Sequence, residues 1–127
     1  MAKSYLDTLK TYKTIFSDKG RGLDLRYRLY RFKWIFAPKY HHVTRFPTHM
    51  DVEATNNCNL RCIMCPINFM DNKKEFMDFD LFKKIIDEAG KYGLDSVKFN
   101  WRGEPLLHPR IVDMARYAKQ KGVLEVQ

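Results

Sequence analysis

Beyond residue 47 the apolar positions switch repeatedly between a period of two and the helical period of about 3.6 residues. Met50, Val52 and Ala54 alternate with Asp51, Glu53 and Thr55, which predicts a strand over 48–55. Leu81, Phe82, Ile85, Ile86 and Ala89 then share one helical face, with Asp78 or Asp80 as cap and Gly93 near the stop. Ser96 to Trp101 reads as a second strand. Pro109 suits the first turn of another helix, carried on Ile111, Val112, Ala115 and Ala118 and stopped at Gly122. Val123 to Gln127 opens a third strand. This is an α/β order, in which parallel strands are joined by right-handed crossovers and ligands gather at the strands' carboxyl ends.

The first 47 residues follow another pattern. Ser4 reads as an N-cap with Asp7 three residues on, and Tyr5, Leu9, Tyr12 and Phe16 recur at helical spacing until Gly20 and Gly22. From Leu23 to Phe36 two periods compete. Leu23, Leu25, Tyr27 and Leu29 alternate as in a strand, whereas Leu25, Leu29, Phe32 and Phe36 fit one helical face. The helix is favoured, because the run is long and its Arg and Lys residues then share the other side. Tyr40, His41 and His42 fall in a linker and are given no ligand role.

Charge sharpens that division. Residues 1–47 carry 11 Lys or Arg against 3 Asp or Glu, while residues 48–127 carry 12 of each, so the net +8 lies in the N-terminal third. A boundary is expected near Phe46-Pro47, giving a basic, aromatic-rich helical extension (1–47) and a second domain (48–127). Such a helix can lie on an anionic membrane or nucleic acid. The more ordinary arrangement packs its aromatics, Tyr27, Tyr30, Phe32 and Trp34, and leaves Arg26, Arg28, Arg31 and Lys33 solvated. The longest apolar run, Trp34 to Ala37, is halted by Pro38 and is too short to span a membrane, and the first residues lack the apolar stretch of a secretory signal.

All three cysteines lie within eight residues, Cys58-Asn59-Leu60-Arg61-Cys62-Ile63-Met64-Cys65, followed by Pro66. An odd count at short intervals argues against disulfides and for a metal loop. Clustered reduced thiols point to the cytoplasm. Three thiolates cannot by themselves close a structural zinc site, which takes four protein ligands. A Cys3His zinc module binding nucleic acid or protein needs His41, His42, His49 or His108 as the fourth. The same thiolates can instead hold three irons of a 4Fe-4S cluster, leaving the fourth iron open to a non-protein ligand.

The C-x3-C-x2-C spacing, with its Cys-Asn-Leu-Arg-Cys wording, resembles the radical S-adenosylmethionine (radical SAM) enzymes. A second segment, Arg102-Gly103-Glu104-Pro105-Leu106-Leu107-His108-Pro109, resembles that family's Gly-Gly-Glu-Pro stretch. Two motifs in the right order are more specific than either alone. Each follows the end of a predicted strand, so both fall on one edge of the sheet.

The resemblance implies that Cys58, Cys62 and Cys65 carry the cluster and that SAM chelates the open iron. Met64 takes the position that packs on the adenine. Arg102, Gly103, Glu104 and Pro105 border the methionine part of SAM, mostly through backbone acceptors; Arg102 can replace the family's first glycine if its φ is negative. Glu104 can add a carboxylate near the SAM ammonium, its ordinary alternative being a charge at a helix N-terminus. The implied reaction is reductive cleavage of SAM to a 5′-deoxyadenosyl radical that abstracts a substrate hydrogen, the protein positioning and shielding. Asp51 and Glu53 become candidates for substrate contact.

The wording further resembles the subgroup with C-terminal cysteine-rich (SPASM or twitch) domains. Peptide modification, sugar modification and anaerobic maturase work all stay open. The family core is a partial (β/α) barrel of six strand-helix units, of which 127 residues supply two and the opening strand of a third. A fragment of a longer gene product is therefore expected, unable to turn over substrate alone. The electron requirement implies an acidic donor of flavodoxin or ferredoxin type, and nucleic acid is not the expected partner.

Overall fold

Asp24 accepts a hydrogen bond from the Arg26 amide at 2.9 Å and so starts α1, Leu25–Lys39. The computed structural model describes residues 24–71 and 73–127, and the helix predicted after Ser4 lies outside them. The chain divides into two compact units between Thr44 and Arg45.

In the first unit, the period of 3.6 wins between Leu23 and Phe36, but the predicted packing face is turned around. Tyr27 and Tyr30 are buried, with ring centroids 6.0 Å apart. Leu25, Leu29 and Phe32 stay 69%, 51% and 53% exposed. The larger rings of the tyrosine face bury more apolar area per residue than leucines do. Pro38 stands inside the last turn and does not stop the helix at once. The chain then reverses through His41 at φ 54°, and the His42 amide closes on the Ala37 carbonyl at 2.8 Å.

The second unit carries β1 His49–Asp51, α2 Phe79–Lys91, β2 Ser96–Lys98, α3 Ile111–Gln120 and β3 Glu125–Val126. The strands form one parallel sheet in the order β1-β2-β3, with Met50 opposite Val97 and Val97 opposite Val126. This is the α/β, β-α-β-α-β arrangement expected. Asp78 caps α2 by accepting from the amides of Asp80 and Leu81. Gly93 and Gly122, at φ 80° and 89°, take the left-handed turns that release each helix toward the next strand.

One core fills the angle between the sheet and the two helices: Val52, Ala54, Phe82, Ile86, Val97, Phe99, Met114 and Ala118 are among its buried members. Fully burying side chains the size of Phe82 or Met114 stabilises by roughly 1.5–3 kcal/mol each. Tyr117 Oη donates to both oxygens of Asp87 at 2.8 and 2.9 Å, tying α3 to α2, and Lys121 lies 2.6 Å from the same carboxylate. Hydrogen bonds from Lys121 and Tyr117 hold the Asp87 carboxyl below its usual range. That tie contributes stability above the unfolded-state pKa of about 3.9, and the contribution is lost as pH falls through the lower folded value.

Several details differ from the sequence pattern, among them Leu81 and Val112, which the pattern puts on apolar helix faces and which are exposed. The paired strands are shorter than predicted, and Thr55, inside the first predicted strand, bridges Phe76 instead. Thr55 is also buried, not outward with Asp51 and Glu53. Pro109 lies ahead of α3; the amide of the N-cap Arg110 donates to His108 Nδ1 at 3.0 Å, and the first helical amide, of Ile111, donates to the His108 carbonyl at 3.2 Å.

Candidate functional site

Both sequence motifs leave the sheet at the carboxyl end of a strand, and the backbone joins them there. The first excursion, from β1 to α2, is closed at its neck by polar side chains. Thr55 Oγ1 donates to the Glu75 carbonyl at 2.7 Å and accepts from the Asn57 amide at 3.0 Å. The Asn56 side chain accepts from the Glu75 amide at 2.7 Å and donates to the Lys73 carbonyl at 2.8 Å. An Asn there supplies one acceptor and one donor to the returning backbone of Lys73 and Glu75, which no apolar residue can do.

Within this loop none of the three cysteines is in a disulfide; Cys58 and Cys65 are half-buried and Cys62 is exposed. The Cys65 amide turns back onto the Cys62 carbonyl at 3.1 Å, and Pro66–Phe69 continues as a short 3₁₀ turn. The Leu60 amide already points at Cys58 Sγ, 3.4 Å away. A cleft of about 660 Å³ opens beside Cys58, with Asn59, Arg61, Met70 and Lys74 in its wall. The donor set fits a thiophilic metal, with one backbone N–H on a sulfur and two cations in the wall to offset thiolate charge. Among the described residues no three Cys, His, Asp or Glu side chains are grouped closely enough to hold a metal ion. Binding therefore includes the cost of drawing the loop together.

The histidines considered as a fourth zinc ligand are partly committed. His108 is buried; its Nδ1 accepts a backbone N–H, so Nε2 carries the proton and donates to the Met77 carbonyl at 3.0 Å. His49 places Nδ1 3.0 Å from Ser96 Oγ and Nε2 3.4 Å from Asp51. Met64 is 90% exposed, so it is not a core methionine.

The second motif follows β2. A Cβ built on Gly103 would lie 1.9 Å from the Thr55 carbonyl oxygen and 2.8 Å from that of Asn57. The next amide, of Glu104, donates to the Asn57 carbonyl at 2.8 Å. Only a residue without a side chain lets the two loops approach that closely. Glu104 Oε1 caps the following 3₁₀ turn, Pro105–Leu107, by accepting from the Leu106 amide at 3.1 Å.

Arg102 and Glu53 were expected to act separately; the structure pairs them. Arg102 Nε and Nη2 donate to Glu53 Oε1 and Oε2 at 2.9 and 2.6 Å. The hydrogen-bonded Glu53 holds the guanidinium pKa above its ordinary value. Arg102 has no positive φ, the condition set for an arginine at this glycine position. Glu53 is thereby occupied by protein. Strand alternation marks Glu53 as outward-facing but does not reveal its partner 49 positions away.

Charge reversal tests this clamp. Glu53→Arg alone is expected to speed amide exchange severalfold across 100–108, and Glu53→Arg with Arg102→Glu to restore protection. Arg102→Lys should rescue poorly, because an ammonium cannot make the paired fork. Equal exchange in all three variants shows that the pair does not hold the loop.

Comparisons with known proteins place the chain in a family. The Radical SAM superfamily model matches residues 52–127. The chain is 43% identical over 75 residues to the tungsten-containing aldehyde ferredoxin oxidoreductase cofactor-modifying protein of Pyrococcus furiosus, covering 58% of this chain and 21% of that protein. It is 32% identical over 71 residues to the GTP 3′,8-cyclase of Chlorobaculum tepidum, covering 56% and 21%. An uncharacterized protein of Methanocaldococcus jannaschii is 39% identical over 67 residues, 51% of this chain and 22% of that one. The chain thus spans about a fifth of the length of these curated relatives. No solved structure matches it significantly. With the family model covering more than half of the chain, and its matched region holding both motif loops, the chain belongs to the radical SAM superfamily.

Proposed function

We propose that this chain is the cofactor-binding part of an iron-sulfur radical SAM enzyme. In this reading Cys58, Cys62 and Cys65 hold three irons of a 4Fe-4S cluster, and Met64 and the Arg102-Gly103-Glu104-Pro105 loop border SAM. When bound, cluster and SAM supply a 5′-deoxyadenosyl radical that takes a hydrogen atom from the substrate. The observation carrying the reading is the backbone junction of Gly103 and Glu104 with Thr55 and Asn57, which sets the thiol loop beside the second motif.

The chain's own groups then have separate tasks. The Leu60 N–H donates to Cys58 Sγ and so helps to fix where that sulfur points. The Asn57 carbonyl and one Glu104 oxygen are spent on holding the loops, so SAM's ammonium would be met by the remaining acceptors of the second motif. Arg102, paired with Glu53, fixes the loop and contributes no free charge.

A small-molecule substrate is favoured over a peptide, because the names of both functionally described relatives specify small molecules, a cofactor and GTP. The net charge of +8 suits a one-electron donor that is an acidic flavodoxin or ferredoxin, met by charge steering in the cytoplasm.

Anaerobic reconstitution tests the proposal. Expected is about four iron and four sulfide per chain, with slowed amide exchange over 57–74 as the loop closes on its metal. About one zinc per chain and no iron would overturn it in favour of a zinc module.

A further inference from the structure

The face of α1 with the helical apolar spacing is the face left outside. Leu25, Leu29 and Phe32 are exposed, and Phe36 continues their line half-buried. At about 100° per residue these four fall within a sector of roughly 60°. Lys39 borders the sector on one side, beside a half-buried Arg28, and Arg26 and Lys33 border it on the other. Asp24 is the only acidic residue between residues 24 and 44.

The aromatic part of the stripe is ordered as a stack. Phe32 and Phe36 have ring centroids 4.2 Å apart, and Phe36 and Tyr40 lie 6.0 Å apart and nearly parallel. A groove of about 390 Å³ runs beside it, walled by Phe32, Phe36 and Ala37 on the helix and by Tyr40, His42 and Thr44 on the returning chain. No described helix is long and apolar enough to cross a membrane.

We propose that α1 is a surface-docking helix for anionic lipid, lying in the plane of the membrane. Its apolar stripe enters the boundary between headgroups and acyl chains, and the exposed flanking cations Arg26, Lys33 and Lys39 meet lipid phosphates. An apolar strip flanked on both sides by Lys and Arg is the arrangement such helices use. Nucleic acid fits less well, since a helix reading phosphates presents its cations at the centre of the contact, where this one presents Leu25, Leu29 and Phe32. The sign of the bordering charge selects anionic lipid over zwitterionic. This inference rests on the first unit and stands or falls independently of the cluster.

Co-sedimentation of the full chain with vesicles tests it. Binding is expected to phosphatidylcholine vesicles with about 30 mol% phosphatidylglycerol, to weaken with salt, and to be slight without the anionic lipid. Leu29→Glu with Phe32→Glu, both at exposed positions, should weaken binding by at least roughly tenfold. Lys33→Gln with Lys39→Gln should weaken it on the order of thirtyfold, at about 1 kcal/mol per charge. Absence of binding to anionic vesicles at low salt overturns the proposal, as does undiminished binding by the Glu variant. So does sedimentation showing a dimer that the Glu variant splits, since a second copy then covers the stripe.

Discussion

Gly103→Ala is expected to destabilise the chain by more than about 3 kcal/mol, the upper range for forcing extra volume into a packed site. The added methyl would stand 1.9 Å from the Thr55 carbonyl oxygen and 2.7 Å from its carbon, and both obstacles are backbone. No side chain can rotate away. Relief requires the two loops to separate, which breaks the 2.8 Å bond from the Glu104 amide to the Asn57 carbonyl and loosens the Thr55 contacts at the neck. In thermal unfolding of the metal-free chain, a loss of this size lowers Tm by more than roughly 12 °C for a domain of this length. A melting point within a degree or two of the parent would mean that the loops are not held as described.

Replacing Cys58, Cys62 or Cys65 singly by Ala is expected to have the opposite signature, with most iron lost and little stability lost. None of the three thiols belongs to the buried core, so each substitution should move the metal-free melting transition by no more than about 0.5–1 kcal/mol. Each would, however, leave one iron without its protein ligand. Visible absorption and iron content of the reconstituted chain should fall together in all three variants. A variant that keeps full iron and its spectrum identifies a cysteine that is not a ligand.

The core was legible because its residues obey a period: Val52 and Ala54 alternate, and Phe82, Ile86 and Ala89 repeat at helical spacing, and all five are buried. Met114 and Phe99 complete that core without having been singled out, the first as an unbranched filler at a helical position, the second at the end of a strand. The same rule misplaced the inner face of α1, since two apolar faces coexist there and only packing chooses between them. Thr55 misled for another reason. Alternation presumes that the strand continues, whereas the Thr55 hydroxyl is satisfied by backbone that returns 20 residues later.

The candidate site was readable as chemistry and unreadable as geometry. Spacing singled out the cysteines, and resemblance to the family singled out the Gly-Glu-Pro stretch. Neither spacing nor composition shows that Arg102 finds Glu53, or that Asn57 receives Glu104, because such pairs are made by the crossover that lays β2 beside β1. Asn56 and Asn57, two amides directly after a strand, were the available signal for a side-chain-closed loop.

The neck formed by Thr55 and Asn56 makes residues 58–71 an exchangeable cassette. Its ends are fastened to Lys73 and Glu75 by groups that lie outside the cysteine run, so the sheet does not register what the loop contains. With the ends fixed, added length enters only logarithmically, about 0.6 kcal/mol per doubling. Thiol number and spacing can therefore be varied by grafting, and metal preference reassigned, on an unaltered frame.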